Sequence, residues 1–329
     1  MLNHVRGKFR INTGLRLEAG RMILTNYDKI YEFSTYDNKY DIVQLYPSFN
    51  AAYNIDKKNL VRIAYGRSVN RQEFRELSPS VYYDFNLFSD VKGNPDLKHA
   101  TIDNVDIRFE HYPSSGEYAN FALFYKHFRN PIEWTYLDAG GSYTYTFENA
   151  KEANNFGIEA DIRKDLDFIG LDYFSFGLNA AYIWSMVAFD NERSLERDRA
   201  MQGQSPYIIN GSLYYDNKER GISAGILYNR IGKRIVGIGR ADTGSGASIN
   251  NDVPDTYELP RDLLDVTISK KIGGRAMVKF KATDILNQKI VFRQYPKFMD
   301  GNGVVHDRVQ TSKKFSPGSY FTLSLQLTL

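Results

Sequence analysis

Tyr320-Phe-Thr-Leu-Ser-Leu-Gln-Leu-Thr-Leu329 closes the chain with an unbroken alternation. Phe321, Leu323, Leu325, Leu327 and Leu329 fall on one side of an extended strand, and Tyr320, Thr322, Ser324, Gln326 and Thr328 on the other. Successive strand side chains point to opposite faces, so one face here is wholly apolar and the other wholly polar. Two architectures use such a strand. A soluble sandwich turns the apolar face into a core. A transmembrane barrel turns it to lipid and leaves the polar face in the lumen.

The same period recurs upstream. Val105, Ile107 and Phe109 alternate with Asn104, Asp106, Arg108 and Glu110; Ile158, Ala160 and Ile162 alternate with Gly157, Glu159, Asp161 and Arg163. Helical periodicity is nowhere persuasive. About twelve strands emerge, most of ten or more residues, the first within 5–23 and the next over 46–55 and 60–70. Soluble strands typically run about five or six residues, whereas a tilted membrane strand needs about nine to eleven. Tight turns (56–59, 113–116, 216–221, 273–274) alternate with polar loops that run to about residue 40, over 71–99, over 237–255 and over 295–313. Short turns on one side and long loops on the other are the outer-membrane pattern. Full charges within strands, such as Arg108, Glu159, Asp161, Arg163 and Lys279, suit a wet lumen. The reading is all-β: an antiparallel transmembrane β-barrel.

Bulk properties agree. The chain has 329 residues, a net charge of +3 and 14% aromatic residues, with 24 Tyr and 21 Phe. So small a charge gives no reason to expect nucleic acid as a partner. Cysteine is absent, which removes disulfides, thiolate metal sites and cysteine nucleophiles. No apolar run reaches the length of a membrane helix, and a mean hydropathy of −0.46 is compatible with a barrel, where only alternate strand residues face lipid. Met1-Leu-Asn-His-Val-Arg-Gly-Lys8 has no signal-peptide core. An export signal is therefore expected upstream.

Several stretches resemble the C-terminal barrel half of TonB-dependent receptors, especially those of the Bacteroidetes. They are Gly14-Leu-Arg-Leu-Glu18, Tyr46-Pro-Ser-Phe49, Tyr65-Gly-Arg-Ser-Val-Asn-Arg71, Phe74-Arg-Glu-Leu-Ser-Pro79 and Gly93-Asn-Pro-Asp-Leu97. Phe156-Gly-Ile-Glu159, Gln202-Gly-Gln-Ser-Pro-Tyr207 with Asn210, Ala282-Thr-Asp-Ile-Leu-Asn287 and Phe315-Ser-Pro-Gly318 continue the series in order. Gln72 departs from the family's usual Pro, and Leu329 from its terminal aromatic. The resemblance implies the C-terminal half of a 22-stranded barrel in the outer membrane of a Gram-negative bacterium. The plug domain, TonB-contacting segment and N-terminal strands would lie outside residues 1–329. It further implies energy-coupled uptake of a nutrient, a ferric siderophore, glycan or similar small molecule. Expected partners are outer-membrane lipid, the ligand, and the TonB complex through the plug region. A self-contained small barrel acting as a pore, and a soluble β-rich binding or adhesion module, are the alternatives.

No catalytic constellation is present, and no enzyme activity or cofactor is expected. His4, His99, His111, His127 and His306 lack metal-ligand spacing. Met299-Asp-Gly-Asn-Gly303 with Asp307 has some features of a calcium loop but reads as a hairpin tip. Gly237-Ile-Gly239 and Gly244-Ser-Gly246 read as flexible loop. Ligand contact is expected from Arg71, Arg75, Tyr82, Tyr83, Trp134, Tyr136, Tyr143 and Tyr145, since aromatic faces stack on sugars and arginine pairs with anionic chelates. The competing reading puts Trp134 and the tyrosines in an interfacial aromatic girdle, where Trp184 also belongs.

Overall fold

The computed structural model describes residues 1–28, 34–85, 89–138, 143–189, 198–240 and 248–327. Thirteen strands form one antiparallel sheet in which each strand pairs with the next wall strand along the chain. They are β1 (Leu2–Arg6), β2 (Phe9–Asp28), β3 (Ser34–Asn54), β4 (Asn59–Asn70), β5 (Ala100–His111), β6 (Tyr118–Arg129) and β7 (Glu152–Leu166). The series continues with β8 (Leu171–Ala188), β9 (Tyr207–Asn217), β10 (Ile222–Ile231), β11 (Arg261–Ile272), β12 (Ala276–Thr283) and β13 (Tyr320–Leu327). Among the described residues β1 and β13 are the sheet's edges.

Three expectations are corrected. Gly7 takes φ +57, so the expected first strand is a hairpin, and this adds the thirteenth strand. The loop expected before residue 40 is mostly strand, because β2 and β3 stay paired from Phe9↔Tyr53 to Asp28↔Ser34. The rise after Ala276 stops at Thr283 rather than Leu286: Asp284 (φ 52) and Asn287 (φ 42) adopt the left-handed region that Asp and Asn tolerate. Thr328, Leu329 and the 139–142 and 244–246 tips lie outside the described residues.

Short connections (Gly7-Lys8, 55–58, 112–117, 167–170, 218–221, 273–275) gather at one rim, and the long ones at the other. The two faces follow the alternation. Ile63, Ile107, Leu123, Ile158 and Tyr182 form one cross-strand row on the apolar face. These side chains are exposed, and so is all of β13, with Leu323 at 74%. A sandwich would bury this face, so the outward apolar wall favours the barrel. On the opposite face Asp161, Asn179, Asn210 and Asn229 make a polar row. Asn229 donates to Asn210 Oδ1 at 2.6 Å and Asn210 to Asn179 Oδ1 at 3.3 Å. The largest fully buried side chains (Leu77, Val91 and Val187) lie toward the long-loop rim.

At the turn rim, Glu117 braces two connections. Its carboxylate accepts from Lys164 Nζ at 2.5 Å, Ser114 Oγ at 2.7 Å and the Asp165 N–H at 3.1 Å. These bonds, Lys164 first, hold its pKa down at about 2 against an ordinary 4.5. A folded pKa below the unfolded one makes the brace complete above pH 4.5 and weakens it as pH falls toward 2. Amide exchange of the 112–117 turn should therefore accelerate over that acid window beyond its intrinsic pH dependence. Glu117→Gln should remove that step; an unchanged pH profile in the variant would refute the brace.

The two faces should also respond differently. Ile158→Arg is expected to cost about 2–4 kcal/mol for protein folded into vesicles. Glu159→Gln, one residue on and facing the other way, should stay within about 0.5 kcal/mol. Urea titration of the vesicle-folded protein measures both.

Candidate functional site: the loop layer

Residues 74–77 start the loop layer. Phe74-Arg-Glu-Leu77 makes one helical turn, with Glu73 and Glu76 forming a capping box, and Ser78 N–H donates to the Phe74 carbonyl at 2.9 Å. Gly93 then lies against this turn. Its N–H donates to Ser78 O at 2.9 Å, and a Cβ there would stand 2.3 Å from the same oxygen. Only glycine fits so close an approach. Asn94 adds its N–H to Glu76 O at 2.6 Å and its side-chain amide to Phe147 O at 3.0 Å. The FRELSP and GNPDL stretches are thus two halves of one clamp, closed over buried Leu77, Val91 and Leu97.

Around that clamp Val81–Asp84, Ser89–Lys92, Tyr143–Asn149 and Ile132–Asp138 form a four-stranded sheet. Tyr82, Trp134 and Tyr145 pack on the clamp's core. Trp134 lies 4.3 Å from Phe147 and 5.8 Å from Tyr145, ring centre to ring centre. Trp134 is therefore a packing residue of the loop layer, not a girdle residue. Tyr136 bonds the Tyr145 hydroxyl and donates to Ile238 O at 2.6 Å. Arg71 is paired with Glu18 on β2, and Arg75 lies 5.7 Å over the Tyr82 ring. Burial, then the Arg71 charge, pushes the neighbouring His99 imidazole down toward its neutral form. Tyr83 stacks edge-on against Phe85 and is half exposed. The Tyr143 side chain lies outside the described residues. By contrast Trp184 stands on the outward face beside Tyr182 and Phe156, at ring distances of 4.5 and 5.6 Å.

A second four-stranded sheet (Arg234–Gly237, Thr256–Glu258, Ile290–Gln294, Gln310–Phe315) flanks the expected 237–255 and 295–313 loops and overlaps them only at Gly237 and 310–313. Gly239 is not a flexible linker. A Cβ there would stand 2.2 Å from Val253 O, and its N–H is held by Asp255 Oδ1 at 2.7 Å. The 199–202 segment bridges the two small sheets: Arg199 Nη1 makes a buried ion pair with Glu133 Oε2 of the first at 2.9 Å, and Gln202 Nε2 donates to Val236 O of the second at 3.1 Å. Burial pushes the Glu133 carboxyl up, and Arg199 opposes that shift.

Beside this tie opens a cavity of about 1040 Å³, lined by five basic and three acidic side chains together with Tyr257 and Tyr295 and bordered by the 182–185 stretch of β8. Lys233 Nζ lies 4.6 Å over the Tyr257 ring and 5.1 Å over that of Tyr295, a cation held between aromatic faces. Arg234 is spent on Glu258 at 2.7 Å. Burial, then Asp255, pushes the Tyr257 hydroxyl up, keeping it a neutral donor. Sequence reading missed this cluster. The usable signal was the alternating Asp255-Thr-Tyr-Glu258 after a Lys233-Arg234 pair.

The 299–307 hairpin is closed from within. Asp300 Oδ1 accepts the N–H groups of Asn302 and Val304 at 2.9 and 3.0 Å, and Oδ2 meets His306 Nε2 at 2.9 Å. His306 chiefly pulls that carboxyl down. Among the described residues no group of three His, Cys, Asp or Glu could hold a metal ion.

An alternating wall, tight turns at one rim and a packed loop layer at the other define a transmembrane β-barrel of the receptor kind. The family model described as TonB dependent receptor-like, beta-barrel, matches residues 4–281, and the chain belongs to that family. None of the curated proteins matches it. Among solved structures it resembles the ferric yersiniabactin uptake receptor FyuA from Yersinia pestis, with TM-score 0.62 and 13% identity over 97% of this chain and 43% of that one. It also resembles the FrpB iron transporter from Neisseria meningitidis (TM-score 0.61, 13% identity, 99% and 44%). For the siderophore receptor PirA from Pseudomonas aeruginosa the figures are 0.56, 13%, 98% and 49%. The chain spans less than half the length of each of these proteins. At such identities the likeness is one of fold.

The clamp gives a test. Gly93→Ala forces a methyl group into the Ser78 carbonyl and should cost about 1–3 kcal/mol of local stability. Limited proteolysis should then cut within 71–99 and 130–151 while the wall stays intact. Parent-like resistance would refute the close approach.

Proposed function

We propose that this chain is the C-terminal barrel portion of a TonB-dependent receptor, set in the outer membrane of a Gram-negative bacterium. Further strands would join at the β1 and β13 edges, and a plug domain would occupy the lumen and contact the TonB complex. The open edges and the 43–49% coverage of the similar structures support this reading. The receptor imports a scarce nutrient with energy relayed from the inner membrane, and this part catalyses nothing.

The cavity beside Lys233 carries the ligand reading. Basic side chains outnumber acidic ones there, and two tyrosine rings flank one cation. That combination favours an anionic, partly aromatic ligand such as a ferric chelate over a neutral glycan. Of the residues expected from sequence, Arg71, Arg75 and Tyr83 are exposed enough to meet a ligand. Tyr82, Trp134, Tyr136 and Tyr145 support the loop layer instead, and Tyr143 is retained as a contact.

Titrating the complete receptor with a ferric tricatecholate and with a neutral maltooligosaccharide tests this. The chelate should bind, and Lys233→Ala or Tyr257→Ala should each weaken it about tenfold, or about 1.4 kcal/mol. Binding of the sugar alone, or unchanged chelate affinity in both variants, would overturn the assignment.

A further inference from the structure

The outward face carries a groove that the uptake reading does not use. One cross-strand row runs Phe109, Phe121, Ala160, Ala180, Ile209, Arg230. It climbs obliquely: Phe109 is two residues from the turn-rim end of β5, whereas Arg230 is one residue from the loop-rim end of β10. Ala160 and Ala180 are the small members of the row, and they hollow the wall between Phe121 and Ile209. The next row, with Ile158, Tyr182 and Tyr207, forms the bank on the loop-rim side. The resulting groove has a volume of about 800 Å³ and an almost wholly apolar lining.

Its upper end is different. Arg230 Nη1 donates to Asp262 Oδ1 at 2.6 Å, and Nε reaches the Tyr207 hydroxyl at 3.4 Å. Nη2 has no acceptor among the described residues, and the side chain is 36% exposed. The Tyr207 hydroxyl, accepting from Nε, keeps its own proton to donate. A cation on a lipid-facing surface is tolerated where it reaches the interface, which is where a strand end stands.

Resting on the reading that this face meets the membrane, we propose that the groove holds one acyl chain of a lipid whose phosphate is received by Arg230 Nη2 and the Tyr207 hydroxyl. An apolar trough whose end pairs Arg230 with Asp262 but leaves one guanidinium edge and a hydroxyl donor unpaired has the shape and polarity to take an amphiphile with a phosphate headgroup. A second copy of this chain would fill the trough but leave Nη2 without an anion.

Trp184 reports on the site, because its ring lies 4.5 Å from that of Tyr182. The chain has 2 tryptophans, so Trp134→Phe leaves Trp184 as the single emitter in this part of the receptor. In phosphatidylcholine vesicles doped with brominated phosphatidylglycerol or brominated phosphatidylcholine, the glycerol lipid should quench Trp184 with an apparent affinity about fivefold higher, the effect of one basic side chain at a charged lipid surface. Arg230→Gln should abolish that preference by removing the cation, and Ala180→Leu by filling the trough. Equal quenching by the two lipids in the parent, or a preference that survives both variants, overturns the lipid site and leaves the uptake reading standing. No quenching by either lipid overturns the membrane-facing reading as well.

Discussion

Within a bilayer no water is at hand to bond a peptide N–H, and every wall strand of this chain answers to that shortage. The meander pairs each strand with its sequence neighbour over many consecutive residues, so ladder bonds run through the wall from β1 to β13. Once the backbone is satisfied, side chains are free to sort by face. The outward row through Ile107 and Ile158 and the inward row through Asp161 and Asn210 are two readings of the same ladder, an odd number of residues out of step.

The wall therefore lacks what a soluble domain would call its core. That role moves to the loop layer, where Leu77, Val91, Leu97 and Phe147 are sealed by the Gly93 clamp. The long-loop rim gains rigidity from its own packed centre. The two small sheets and the 199–202 segment bridging them tie that rim together, where a fringe of loops would be loose.

This division explains what was legible in the sequence. Strand period, strand length and the side of each connection depend on local alternation, and they were readable at Val105–Glu110 and in the final strand. The clamp was recognisable as ordered motifs, but not as one object, because Gly93 meets Ser78 only after the chain folds back. Trp134 was open to two readings for a related reason. An aromatic next to a long loop looks the same in sequence whether it faces lipid or packs on Phe147. The cavity beside Lys233 was missed because glycine-rich composition hid a short sheet. Its tyrosines are far apart in sequence and meet because the Thr256–Glu258 strand pairs with Ile290–Gln294, which Tyr295 directly follows.

The ion pair that anchors the 199–202 segment to the first small sheet constrains how this rim can diverge. Glu133 and Arg199 stand 66 residues apart in the chain, yet both are buried and each neutralises the other. Losing one partner strands a charge in a dry interior, whereas exchanging both for apolar residues costs little. Drift at these positions should therefore be correlated: among relatives, 133 and 199 should change together, as acid and base or as two hydrophobes. The exposed aromatic tip at Tyr83 and Phe85 carries no such bond and can vary one residue at a time. The tips are then free to diversify while the joint beneath them is inherited as a unit.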